Sequence, residues 1–68
     1  MTQCEIVKEH LNEFGSIDPM TAIREYGIMR LASRMSDLKA EGFKFHTVTV
    51  KAKNRYGEYI HYARYVRD

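Results

Sequence analysis

At 68 residues and 8.0 kDa, with eleven basic and nine acidic side chains and a formal net charge of +2, the chain has room for one small domain and none for a second domain or a deep enclosed active site. Hydrophobic residues at 44% and charged residues at 29% exclude the disordered and fibrous classes. The single cysteine, Cys4, excludes an intrachain disulfide and a cysteine-rich zinc site, and no run approaches the ~20 apolar residues of a membrane span.

The opening Met1-Thr2-Gln3-Cys4-Glu5 lacks the basic and then apolar segments of a secretory leader, and small secreted domains usually carry disulfides. A soluble cytoplasmic protein is therefore expected. Thr2 followed by Glu5 is a capping-box signature for a helix start. Cys4, Val7, Leu11 and Phe14 then recur at helical spacing as one apolar stripe, and Gly15 supplies the stop. Glu5, Glu9 and Glu13 stand on another face, which should point away from any polyanion.

Asp18 is a good N-cap with Pro19 at the first helical position, and Ile17 with Ala22 can form a hydrophobic staple. The second helix runs from about Pro19 to Glu25, with Met20, Ile23 and Tyr26 expected to face inward. Gly27 can take the positive φ of a tight turn, and a third helix is predicted to follow immediately. Its inner stripe is Ile28, Leu31, Met35 and Leu38, and Gly42 closes it.

From Phe43 the period changes. Phe43 to Lys53 is rich in Thr, Val and Phe, and Glu58 to Val66 in Tyr, Ile and Val, as strands require. Between them Asn54-Arg55-Tyr56-Gly57 suits a type I turn with a left-handed glycine, a common hairpin connection. That turn sets Ala52 opposite Ile60, Val50 opposite Tyr62 and Val48 opposite Arg64 on the face predicted to be buried. The other face carries Thr47, Thr49, Lys51 and Lys53 opposite Tyr65, Ala63, His61 and Tyr59. The class is α+β: a winged helix-turn-helix of three helices followed by a two-stranded β-hairpin wing, spanning residues 1–68.

Opposite the apolar stripe of the third helix lie Met29, Arg30, Ser33, Asp37 and Ala40, with Arg34 on the flank. Arg30, Ser33 and Arg34 occupy the turns that reach base edges in a recognition helix, and an arginine there can donate two bonds to guanine O6 and N7. Lys51, Lys53 and Arg55 on the hairpin suit phosphates or the adjacent minor groove. Charge agrees: residues 1–28 sum to −3 and residues 29–68 to +5, so one half suits a polyanion. Exposed arginines on a helix and lysines on a hairpin are each ordinary alone; their placement on the two docking elements favours nucleic acid.

From Ala22 through Gly27-Ile28, Leu31, Met35 and Leu38 to Gly42-Phe43, the chain resembles winged helix-turn-helix proteins such as the MarR-type regulators. Its turn between the second and third helices is two residues shorter, and Ser33 stands where the repressor-type pattern has an apolar residue. It is more closely similar to a family of small phage- and prophage-encoded helix-turn-helix domains. That likeness runs over residues 16–65 through Ser16-Ile17-x-Pro19, Ala22, Tyr26-Gly27-Ile28-x-Arg30-Leu31-Ala32-Ser33-Arg34-Met35-x-Asp37-Leu38, Asn54-Arg55-Tyr56-Gly57 and Tyr62-Ala63-Arg64-Tyr65. The resemblance implies duplex DNA as partner, and a regulator or accessory role.

His10, His46, His61 and Cys4 lie at no metal-ligand spacing, so no metal or cofactor is expected and the histidines read as surface or partly buried. Nothing supplies a nucleophile with its base or a carboxylate pair in a pocket, so no enzymatic activity is expected. The rival reading is a protein-binding module of phage origin that uses the same basic face on a host protein. A single module binds DNA weakly, so a homodimer or a host or phage protein partner is compatible with either reading.

Overall fold

A computed structural model describes all 68 residues. The order is α1 (Gln3–Phe14), β1 (Ser16–Ile17), α2 (Pro19–Tyr26), α3 (Leu31–Ala40), β2 (Phe45–Lys53) and β3 (Tyr59–Arg67). The strands form one antiparallel sheet in the order β1-β3-β2. This is the predicted α+β winged arrangement, with a third strand added to the hairpin. β1 is only two residues long, too short for any alternation to reveal, and it pairs Ser16 with Val66 and Ile17 with Tyr65. No helix is long and apolar enough to cross a membrane.

The local signals set the helix ends. At α1 the Thr2 amide donates to Glu5 Oε1 (3.0 Å) and the Glu5 amide to Thr2 Oγ1 (3.1 Å), completing the capping box. At α2 the Thr21 amide donates to Asp18 Oδ1 at 2.8 Å. α3 ends in paired bonds, Phe43 amide to Leu38 carbonyl and Gly42 amide to Lys39 carbonyl. That is the Schellman pattern, and it requires a left-handed residue at Gly42, whose φ is +92°.

Backbone and side-chain hydrogen bonds from Thr2 hold the Glu5 carboxyl below its usual value near 4.5. A carboxylate with a depressed folded value contributes stability above that ordinary value and loses it as pH falls through the folded one. The stability advantage of the native chain over Glu5→Gln should therefore shrink below about pH 4.5, as read by thermal melts across pH 2–7.

Eight residues make the core: Val7, Leu11, Ile17, Ala22, Ile28, Leu31, Met35 and Leu38. Three expectations about facing are corrected. Phe14 is exposed, its ring tilted against that of His10 with centroids 4.7 Å apart, because Gly15 turns the chain away at that point. His10 is itself buried, with Nδ1 2.6 Å from the Tyr26 hydroxyl, so a ring read as surface or partly buried is an interior polar group with a partner. On α2, Met20 is 65% exposed and Ile23 and Tyr26 are exposed too, while Ala22 is fully buried. The helix approaches the core through its smallest apolar side chain, leaving Ile17 and Ile28 at its two ends to fill the space.

The hairpin register is the predicted one at every pair from Thr47–Tyr65 to Lys53–Tyr59. Its burial differs. The sheet joins the core through Phe45 and Tyr65, whose rings meet edge-on at 5.9 Å. Both lie on the odd-numbered face. On β2 the even-numbered face is nevertheless the more covered one, as predicted, with Val48, Val50 and Ala52 half-buried and Thr47, Thr49, Lys51 and Lys53 exposed, whereas on β3 it leaves Ile60 45% and Tyr62 37% exposed. The helices, of 12, 8 and 10 residues, cover only the base of the strands. The rest projects as a wing and stretches the molecule to 39 × 22 × 20 Å.

Candidate nucleic-acid interface

Two elements carry the proposed contacts, and each is shaped by its own turn. Gly27, at φ +67°, ends α2, and the Ile28 amide donates to the Ala22 carbonyl at 3.0 Å. Burying Ile28 in this turn delays the next helix. α3 therefore begins at Leu31, three residues later than the apolar spacing suggests, and Arg30 is its N-cap, with no side-chain capping bond. Arg30 and Met29 are both exposed, at the helix entrance rather than on its first turn.

Along α3, Leu31, Met35 and Leu38 point inward. Ser33 is half-buried, and Ala32, Ser36, Asp37, Lys39 and Ala40 are exposed. Arg34 is half-buried on the flank facing α1. Its Nη2 lies 3.3 Å from Asp37 Oδ2, and its Nε is buried without a hydrogen-bond partner. Cys4 of α1 packs over the same pair, with Sγ 3.9 Å from Asp37 Oδ2 and 4.0 Å from the Arg34 carbonyl. The stem of Arg34 is thus fixed, with only the end of its guanidinium free to reach a ligand. Ser36 and Lys39 are exposed positions on this helix that the sequence pattern did not single out; helical spacing from the exposed Ala32, four and seven residues on, marks both.

The wing is locked at its tip. Asn54 Oδ1 accepts from the amides of Tyr56 (2.9 Å) and Glu58 (3.1 Å), and the Gly57 amide donates to the Asn54 carbonyl at 3.0 Å. Gly57 has φ +78°, the left-handed conformation such a loop demands. The turn holds Arg55 and Tyr56 out in solvent. Below it, Lys51 and Lys53 share one face, their Nζ atoms 4.1 and 5.1 Å from the centre of the Tyr59 ring. The ring attracts both cations through its negative face, and so keeps two like charges together that would otherwise spread apart. Tyr59 is a member of this site that its cross-strand position opposite Lys53 could have revealed.

No three His, Cys, Asp or Glu side chains converge as a metal site. Over residues 2–66 the chain matches a family model described as a winged helix-turn-helix domain. It matches no curated protein and no solved structure.

Proposed function

Because the chain belongs to the winged helix-turn-helix domain family, whose fold is a DNA-binding one, we propose that it binds duplex DNA sequence-specifically, as a small phage or prophage regulator or accessory factor. α3 enters the major groove. Arg30 at its entrance and the free end of Arg34 meet base edges, and Ser33 makes a permissive contact beside them. Lys51, Lys53 and Arg55 hold the phosphate backbone.

The observation that carries this reading is the paired placement of Lys51 and Lys53 over Tyr59, next to a tip turn that fixes Arg55. Phosphates recur along a strand, and two lysines held over one ring lose less side-chain freedom on meeting them than unrestrained lysines would, while the tip turn fixes the backbone from which Arg55 extends. On α3, Asp37 contributes by fixing the plane of Arg34, which a bidentate contact with guanine needs.

The test is fluorescence anisotropy of a labelled random-sequence duplex at several salt concentrations. Binding is expected, with log K falling against log salt at a slope of about −3 to −6, the value for four to six phosphate contacts. No binding at low salt would overturn the reading and turn attention to a protein partner for the same basic face.

A further inference from the structure

The wing's even-numbered face, predicted from its pattern to be buried, is only partly covered over its outer half, with Val50 and Ala52 half-buried and Ile60 and Tyr62 exposed. Between that part of β3 and α2 runs a groove of about 480 Å³ whose apolar lining includes Met20, Ile60 and Tyr62. Those three side chains are among the exposed large hydrophobic residues of the molecule, and they come together along this one groove.

The charges around the groove say what fits it. On the even-numbered face the order is Glu58, just before β3, then Ile60, Tyr62 and Arg64 within it, acid and base bracketing two apolar side chains. The wall formed by α2 repeats the order, with Asp18 at its start, Met20 next and Arg24 a turn further on. Arg64 has no ion-pair partner. Arg24 has only its exposed neighbour Glu25 at 3.6 Å, and the Glu58 carboxylate makes only a long 3.5 Å contact with Asn54. A surface ordered acid–apolar–base is complementary to itself when turned end for end, which is the condition for a contact across a two-fold axis.

We infer that the groove between α2 and β3 takes a second copy of this chain, antiparallel across a two-fold axis. Glu58 then meets Arg64 of the second copy, Ile60 meets its Tyr62, and Asp18 meets its Arg24. Lys51, Lys53 and Tyr59 lie on the opposite face of the wing and stay uncovered. The association and the DNA contact therefore use separate surfaces, and the inference stands or falls without any nucleic acid present.

The experiment is sedimentation equilibrium of the full chain, free of DNA, from low micromolar to several hundred micromolar. The native chain is expected to pass from its monomer mass of 8.0 kDa towards twice that value. Ile60→Glu, and Met20→Glu on the other wall, should remain monomeric; both positions are exposed, and circular dichroism checks that each variant is folded. Glu58→Arg and Arg64→Glu should each be monomeric alone, by like-charge contact, and their equimolar mixture should recover the doubled mass, because every cross-axis pair is then of opposite sign. That recovery separates docking from a general loss of structure. A native chain that stays at monomer mass throughout overturns the inference. So does a dimer that survives both apolar substitutions, or a mixture that stays monomeric.

Discussion

Leu38→Ala is expected to lose roughly 2–5 kcal/mol of folding stability, the range for emptying a fully buried leucine site. A domain of this length has on the order of 3–10 kcal/mol in total, so the variant should forfeit a large fraction of its stability and unfold at markedly lower urea. Leu38 is fully buried, in one core with Met35 and Ile28. Its carbonyl also accepts the Phe43 amide that closes α3, so the residue anchors both the packing and the helix end. Met29→Ala is the control: at 81% exposed it should change stability by no more than about 0.5 kcal/mol. Urea unfolding followed by circular dichroism reads both, and similar losses would mean the core does not lie where these side chains point.

Removing the wing cations together, in a Lys51→Ala, Lys53→Ala, Arg55→Ala variant, should weaken duplex binding roughly a hundredfold at moderate salt. Three exposed charge interactions at up to about 1 kcal/mol each account for that drop. The salt slope should also become shallower by about 2 to 3, nearly one for each phosphate left without its cation. All three positions are exposed, so thermal stability should hold. The variant distinguishes the two halves of the interface: an unchanged slope would assign the phosphate contacts to α3 and leave the wing without a part in binding.

The features legible in the sequence are those fixed within a few residues. Thr2 with Glu5, Asp18 with Pro19, and Asn54 through Gly57 each name a cap or turn whose hydrogen bonds close locally, and the last of these fixes the register of the whole hairpin. Lys51, Lys53 and Tyr59 come into one cluster through that register. Facing is a different matter, because it depends on elements distant in the chain. Apolar alternation along β2 and β3 correctly separates two faces, yet only the short helices decide which face they cover and how far. The same holds for α2, where Ala22 gains contact by being small, an advantage that a count of large apolar residues reverses. At the site, the inward Nε of Arg34 follows from the closeness of α1, which no spacing within α3 records.

The pairing of β1 with β3 also bears on how quickly the molecule forms. Ser16 finds its partner at Val66, fifty positions along the chain, while the hairpin and the three helices are built from near neighbours. Local turns and hairpins close in microseconds or less, but bringing Ser16 to Val66 requires closing most of the chain into a loop, with an entropy that only the finished contacts offset. The order of events is then set by separation: helices and hairpin fluctuate into place first, and β1 docks onto an edge that β3 has already formed. Weakening the pairing of Ser16 with Val66 should accordingly speed unfolding far more than it slows folding, the kinetic signature of a contact made after the barrier.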